Sequence, residues 1–164
     1  MVRKTYNVLF VCTGNSARSI MGEVLMNRLG MGRFKAYSAG SHPTGVVNPF
    51  ALATLKGLHL PTDGLRSKDW DEFARADSPP LDFVLTVCDK AAGEVCPVWP
   101  GQPITAHWGL PDPAAFDGPD DRKAKVFIDT ALALRRRIEL MLALPIERLD
   151  RFALQREVKD IGTH

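Results

Sequence analysis

Two short apolar runs of the same kind constrain the fold most strongly. Residues 7–11 read NVLFV and residues 83–87 read FVLTV, and a cysteine follows each run directly. A continuous apolar run of this length is typical of a strand buried on both faces, as in a parallel sheet. Helix-like patterns alternate with these strands, which predicts right-handed crossovers and an α/β fold.

The remaining elements are placed by periodicity and by end signals. A helix is predicted over residues 16–29, because Ile20, Val24 and Leu25 recur at helical spacing and Gly30 follows. Strands are predicted over residues 34–38 and 103–107, and a helix that begins at Asn48 is predicted over residues 49–57. A C-terminal helix is also predicted, which ends before Pro145. Its apolar face is formed by Phe127, Ala131, Leu134, Ile138 and Met141.

Composition favours a single domain with no nucleic-acid or membrane partner. The chain has 164 residues, 45% of them hydrophobic, which suffices for one core. The net charge is only +2, and the longest basic run, residues 135–137, predicts one solvated helix face rather than a nucleic-acid patch. Residues 1–11 hold about five apolar residues, too few for a signal peptide or a membrane span, so we expect a cytoplasmic protein.

Cysteine usage points to reactive thiols. The chain has three cysteines, an odd number, and we expect no export signal in it. This pattern argues against a framework of structural disulfides. Cys12 and Cys88 both follow the carboxyl ends of predicted strands, where parallel sheets bind their ligands. If those strands are neighbours, the two thiols could approach within disulfide reach.

Residues 12–19, CTGNSARS, join the first strand to the first helix and fit an oxyanion site. Backbone N–H groups of a loop that opens a helix converge on an anion, and the helix dipole adds positive potential. The same field lowers a cysteine pKa, so Cys12 is predicted to be the nucleophile. The predicted oxyanion-binding residues are Thr13, Gly14, Asn15, Ser16, Ala17, Arg18 and Ser19.

Three side chains of this loop have separate expected roles. The planar guanidinium of Arg18 can bind two oxygens of a tetrahedral oxyanion. Asn15 is expected to brace the loop, and Ser19 to hydrogen-bond the sulfur. The alternative is a buried structural cysteine followed by a helix that Ser16 caps.

The loop resembles the catalytic loop of the low-molecular-weight protein tyrosine phosphatases and of the arsenate reductases that share their fold. The resemblance extends to YSAG at 37–40, TVCD at 86–89 and HWGLPDPA at 107–114. It implies one catalytic domain over residues 1–164, with flavodoxin-like topology: a four-stranded parallel sheet flanked by helices, in strand order 2-1-3-4. Asp112 matches the family's general acid, which protonates the leaving oxygen. Taken alone, Asp-Pro also fits a plain turn.

Departures from the phosphatase pattern favour the arsenate reductase branch. The phosphatases typically carry Asp-Pro-Tyr and a second cysteine within the loop, where this chain has Ala114 and Ala17. Cys88 and Cys96 resemble the redox pair of the thiol-coupled arsenate reductases, and a cysteine pair can supply two electrons by forming a disulfide. The alternatives are incidental cysteines or a zinc site with His107, which the Cys-x7-Cys spacing disfavours.

The resemblance therefore implies reduction of arsenate to arsenite, for arsenic detoxification. Cys12 would attack arsenic, Cys88 would attack Cys12 and release arsenite, and Cys96 would attack Cys88. The residues between Cys88 and Cys96 favour a helix, which would have to unwind before the two sulfurs could bond.

Expected ligands and partners follow from this chemistry. We expect no metal and no tightly bound cofactor, with phosphate and sulfate binding as arsenate analogues. The disulfide would be reduced by an external thiol: thioredoxin first, with glutaredoxin and glutathione as alternatives. Phosphotyrosine hydrolysis and a non-catalytic oxyanion-binding module remain alternative functions. The sequence leaves open whether a cation binds near Asn15, Glu23 and Ser38.

Overall fold

A parallel sheet lies at the centre of the molecule. The computed structural model of the chain describes residues 4–88, 99 and 101–164. Within these residues the sheet has four strands in the order β2-β1-β3-β4, each parallel to its neighbours. The fold class and strand order implied by the resemblance are therefore confirmed. The strands are β1 Tyr6–Cys12, β2 Phe34–Gly40, β3 Phe83–Thr86 and β4 Ile104–His107.

Helices connect and cover the strands. The described helices are α1 Arg18–Leu29, α2 Pro49–Gly57, α3 Asp120–Leu142 and α4 Arg151–Ile161, with 3-10 turns at Trp70–Phe73, Pro113–Ala115 and Ile146–Arg148. The predicted bounds of α2 are confirmed, and the Asn48 side chain caps it by accepting a hydrogen bond from the backbone N–H of Phe50 at 2.8 Å. None of the described helices is both long and apolar enough to span a bilayer.

The start of α1 differs from the prediction. The helix begins at Arg18, two residues later than expected, and Ala17 takes the N-cap position. Ser16 is therefore not the cap. No side chain of the described residues caps α1, so its first N–H groups are left for the loop and for a ligand.

The apolar runs predicted from the sequence form the core of the structure. Residues 8–11 of β1 are at most 1% exposed, because helices cover both faces of this inner strand. On α3, the five apolar residues predicted to share a face are all fully buried: Phe127, Ala131, Leu134, Ile138 and Met141. The amphipathic pattern of this helix is thus confirmed.

The basic run on α3 departs from the prediction of one solvated face. Arg137 is only 6% exposed, because it lies on the same side of the helix as Leu134 and Ile138. Its Nη1 donates to the carbonyl oxygen of Trp108 at 2.7 Å. Burial lowers the pKa of the Arg137 guanidinium. Arg137 thus anchors the segment that precedes Asp112.

The register of β1 and β3 brings both cysteines to one edge of the sheet. Val11 pairs with Thr86, so Cys12 ends β1 close to the point where the chain leaves β3 toward Cys88. The expected proximity of the two thiols therefore follows from the strand order. Cys96, and the helix predicted between it and Cys88, lie outside the described residues.

Candidate active site

The loop after β1 is held from its outer side by backbone hydrogen bonds. The carbonyl oxygens of Thr13, Gly14 and Ser16 accept bonds of 2.8–3.0 Å from backbone N–H groups within residues 42–48. In a trans peptide, the N–H points away from the carbonyl of the same unit. The N–H groups of residues 14, 15 and 17 therefore face the other side of the loop, and that of Asn15 hydrogen-bonds the Cys12 sulfur.

Asn15 holds the loop from within. Its side chain is fully buried and its φ is +44°, a left-handed conformation that asparagine tolerates better than most residues. The carbonyl oxygen Oδ1 accepts from the backbone N–H of Lys68 at 2.9 Å, so the amide nitrogen Nδ2 donates to Ser19 Oγ at 2.8 Å. With that oxygen already accepting, the Ser19 hydroxyl can donate to Cys12 Sγ, 3.3 Å away.

Gly40, the last residue of the YSAG motif, allows the loop to approach β2. A Cβ at this position would lie 2.5 Å from the carbonyl oxygen of Thr13 and 3.0 Å from the backbone nitrogen of Asn15. Atoms cannot pack that closely, so any side chain at residue 40 would displace the loop. The motif therefore has a steric role at the site.

Two reduced thiols meet at the loop. Cys12 and Cys88 are each 3% exposed, and the backbone N–H of Thr13 donates to Cys88 Sγ at 3.3 Å. Hydrogen bonding between the two thiols and burial raise the pKa of Cys12 well above its ordinary value, while the Ser19 hydroxyl and the Asn15 N–H lower it. The direction is opposite to the lowered pKa expected from the helix terminus, because the hydrogen bond with Cys88 and burial outweigh the hydrogen bonds from Ser19 and Asn15.

Arg18, where the loop enters α1, lies close to Asp112. Arg18 Nη1 donates to the carbonyl oxygen of Leu110 at 2.7 Å, and Nη2 lies 3.8 Å from Asp112 Oδ2. The other carboxylate oxygen of Asp112 caps the 3-10 turn by accepting from the N–H of Ala114 at 3.0 Å. The turn and the acid interpretations are thus compatible, since each uses a different oxygen. The Asp112 side chain is 45% exposed to solvent.

The segment leading to Asp112 is fixed to the core. Trp108 is fully buried, and its indole N–H donates to the carbonyl oxygen of Val158 on α4 at 2.9 Å. Its backbone N–H donates to the carbonyl oxygen of Thr86, and the N–H of Leu110 donates to that of Val87. These contacts hold the segment that brings Asp112 within 3.8 Å of Arg18.

Lys68 is a site residue that sequence reasoning missed. Its ammonium is 2.9 Å from the carbonyl oxygen of Arg66, 3.3 Å from Ser38 Oγ and 3.5 Å from Asn15 Oδ1. Glu23 Oε1 lies 3.8 Å from the same nitrogen. A single lysine in a polar loop is usually solvated, so the sequence contains no signal for this position.

The described residues contain no group of three or more His, Cys, Asp or Glu side chains placed to hold a metal ion. His107, considered as a zinc ligand with the cysteine pair, instead has its Nδ1 2.9 Å from Thr86 Oγ1. Of the two cysteines predicted to form a redox pair, the structure describes Cys88, and Cys96 lies outside the described residues.

Comparison with known proteins agrees with this geometry. Residues 7–151 match the low molecular weight phosphotyrosine protein phosphatase family. The chain belongs to this family. A relative named arsenate reductase, from Halalkalibacterium halodurans, is 36% identical over 120 residues, which cover 73% of this chain and 83% of the relative.

Solved structures of similar proteins carry related descriptions. An arsenate reductase in the oxidized state superimposes with a TM-score of 0.68 at 28% identity, covering 85% of this chain and 98% of that one. An arsenate reductase in the phosphate binding state has a TM-score of 0.63 at 27% identity, with the same coverage. This family member therefore has both phosphatase-family and arsenate reductase relatives.

Proposed function

We propose that this member of the family reduces arsenate to arsenite with a cysteine nucleophile and an external thiol. The observation that carries the proposal is the contact between the Cys12 and Cys88 thiols at the oxyanion loop. Phosphate ester hydrolysis needs only the first thiol, whereas a two-electron reduction needs a second one within reach of the first. The relatives named arsenate reductase support the same choice.

The first step forms a bond between sulfur and arsenic. The loop N–H groups and the Arg18 guanidinium bind the arsenate oxygens and neutralise their charge. Cys12 first passes its proton to an oxygen of the bound arsenate dianion and then attacks arsenic as the thiolate. One hydroxyl of the arsenate leaves as water after Asp112 has donated a proton to it. The Ser19 hydroxyl, 3.3 Å from the sulfur, stabilises the thiolate before attack.

The second step transfers the electrons. Cys88 attacks Cys12 Sγ, so that an S–S bond forms and the S–As bond breaks. The electron pair of the broken bond stays on arsenic, which becomes arsenite, and the two sulfurs are oxidised to a disulfide. The Cys88 thiol hydrogen-bonds the Cys12 thiol, which places the attacking sulfur beside its target.

The third step regenerates the nucleophile. We assign it to Cys96, which would attack Cys88 and release the Cys12 thiolate; this role rests on the resemblance alone. A dithiol such as thioredoxin would then reduce the Cys88–Cys96 disulfide, with glutaredoxin and glutathione as the alternative system. These reductants operate in the cytoplasm, where we place the protein. We treat residues 1–164 as one catalytic domain.

Phosphotyrosine hydrolysis is the second candidate, because the chain belongs to the phosphatase family and the resemblance assigns it the family's loop and an acid at Asp112. Ala114 provides no aromatic wall for a phenyl ring, which makes an aryl ester the poorer substrate. A module that binds oxyanions without turnover is the third.

The test is arsenite production under multiple turnover. The purified chain is assayed with arsenate and the thioredoxin system, then with glutaredoxin and glutathione, with para-nitrophenyl phosphate as the parallel substrate. We expect arsenite with the thioredoxin system, loss of both activities in Cys12→Ser, and loss of arsenate turnover alone in Cys88→Ser. Phosphatase activity without arsenite would favour the second candidate, and absence of both activities would favour the third.

A further inference from the structure

The buried guanidinium of Arg137 on α3 holds two successive carbonyl groups of the segment that leads to Asp112. Its Nη1 donates to the carbonyl oxygen of Trp108 at 2.7 Å and to that of Gly109 at 3.2 Å. Arg137 is only 6% exposed, and hydrogen bonds from a charged donor are stronger than those between neutral groups. Both carbonyl groups are therefore firmly oriented.

These two carbonyl groups belong to the peptide units on either side of Gly109. The Trp108 carbonyl is part of the unit before Gly109, and the Gly109 carbonyl is part of the unit after it. Because each unit is planar, holding both of them fixes the φ and ψ angles of Gly109, which glycine would otherwise vary more freely than any other residue. Arg137 thus restrains the position in the segment that could rotate most easily.

The residues after Gly109 form a stiff arm. The rings of Pro111 and Pro113 fix their own φ angles, and each proline also restricts the residue before it, Leu110 and Asp112 respectively. Asp112 accordingly has an extended backbone, with φ of −74° and ψ of 111°. A rotation at Gly109 would therefore swing the Asp112 carboxylate together with the arm.

The other donors of Arg137 bind the turn that follows α4. Nε and Nη2 both donate to the carbonyl oxygen of His164 at 3.1 Å. Gly162 of the same turn packs directly on the end of β4, since a Cβ there would overlap the carbonyl oxygen of His107. The turn therefore holds the guanidinium in the orientation that the segment before Asp112 requires.

We propose that Arg137 is a positioning residue, which locks the backbone at Gly109 and thereby holds Asp112 where it can protonate the leaving oxygen. The inference rests on the proposed function in taking Asp112 as the proton donor, a role that arsenate reduction and aryl phosphate hydrolysis share. In both reactions the proton of the Asp112 carboxyl moves to the leaving oxygen, which departs as water or as a phenol. Lysine at residue 137 would keep the charge but could not bind three carbonyl groups with a rigid fork.

The test is a double-mutant cycle between Arg137→Lys and Asp112→Asn. Each chain is assayed for kcat/KM with phenyl phosphate, without any reductant, and for the rate of arsenite formation with the thioredoxin system. With Asp112 present, Arg137→Lys should cost about tenfold or more in either reaction, because a misplaced acid donates its proton poorly. In the Asp112→Asn background, which has no acid to misplace, the further loss should be less than about threefold.

The leaving group gives a second readout that a general weakening of the fold would not produce. Dinitrophenolate is a stable anion and leaves without protonation, whereas phenolate needs the acid. Arg137→Lys should therefore lower kcat/KM for dinitrophenyl phosphate by less than about threefold, against about tenfold or more for phenyl phosphate. Arg136→Lys, at the exposed neighbouring position of α3, is the matched control and should leave each of these values unchanged.

Gly162→Ala perturbs the same contacts from the other side. Its Cβ would displace the turn that supports Arg137, so this variant should show the same selective loss with phenyl phosphate. It also replaces Arg137→Lys as the test if the lysine variant does not fold.

The outcomes separate this inference from the proposed function. Wild-type activity of Arg137→Lys, an equal loss in both Asp112 backgrounds, or absence of both reactions in the wild-type chain would each overturn the inference. Because phenyl phosphate is assayed without a reductant, the expected pattern in a chain that forms no arsenite would uphold the role of Arg137 and refute arsenate reduction.

Discussion

Replacing Asn15 by alanine should destabilise the fold more than a substitution in a surface loop normally does. The side chain is fully buried and makes hydrogen bonds of 2.9 Å to the Lys68 N–H and 2.8 Å to Ser19 Oγ. Leaving the backbone N–H unpaired costs about 1–3 kcal/mol, and the bond to Ser19 contributes about 1 kcal/mol. Alanine at a φ of +44° adds about 1 kcal/mol of strain, since the left-handed region disfavours a Cβ.

The free energy of unfolding should therefore fall by about 3–5 kcal/mol in Asn15→Ala, which is a large part of a typical total of about 5–15 kcal/mol. Urea unfolding followed by tryptophan fluorescence measures the free energy of unfolding in both chains. Asn15→Gly should lose about 1 kcal/mol less, because glycine has no Cβ and adopts positive φ readily.

Asn27→Ala is the matched control for this prediction. Asn27 also makes two hydrogen bonds, with the N–H and the carbonyl of Ala36 at 2.8 and 3.1 Å, but it is exposed and lies outside the oxyanion loop. We expect it to cost about 1–2 kcal/mol and to leave phosphate binding intact. A loss below about 1 kcal/mol in Asn15→Ala, or an equal loss in the two variants, would refute the argument from buried hydrogen bonds.

Three other substitutions test separate parts of the site. Gly40→Ala should abolish phosphate binding, because its Cβ would lie 2.5 Å from the Thr13 carbonyl oxygen; unchanged affinity by calorimetry would contradict this. Cys88→Ala should lower the pKa of Cys12, because the hydrogen bond from Cys88 raises it. The rate of Cys12 alkylation by iodoacetamide, measured by peptide mapping, should then reach half its maximum at a lower pH than in the wild-type chain, and an unchanged pH profile would exclude contact between the thiols. Arg18→Lys should reduce kcat/KM at least about tenfold, because an ammonium cannot form the paired hydrogen bonds of guanidinium, and wild-type efficiency would remove Arg18 from the oxyanion site.

The sequence predicted the elements that have a regular apolar pattern. The runs at 7–11 and 83–87 and the stripe on α3 each match a buried face of the structure. The strands β1 and β2 extend further than predicted, to Cys12 and Gly40. The small residues at these ends continue the backbone pairing of the two strands but add no apolar signal to the sequence. The helix α4 was not predicted, since only a few apolar residues mark its buried side and Phe152 is exposed.

Features of the site that depend on tertiary contacts could not be predicted from the sequence. Arg137 is buried because its side of α3 packs against the segment at Trp108, although its two neighbours in the basic run are exposed. Lys68 lies next to Asn15 only because of the path that a polar loop takes in the folded protein. The direction of the Cys12 pKa shift depends on Cys88, which is 76 positions away in the sequence, and the loop motif alone predicts the opposite direction.

The most direct test of the central claim is a single turnover of Cys96→Ser with arsenate, without any reductant. Arsenite is quantified, and the protein is analysed by intact mass and by mapping of disulfide-linked peptides. We expect one arsenite per chain and a mass lower by about 2 Da, from a disulfide between Cys12 and Cys88 that has no third thiol to resolve it. If arsenite is not formed, or if it forms while Cys12 and Cys88 both remain reduced, the proposed transfer of electrons between these two sulfurs is wrong.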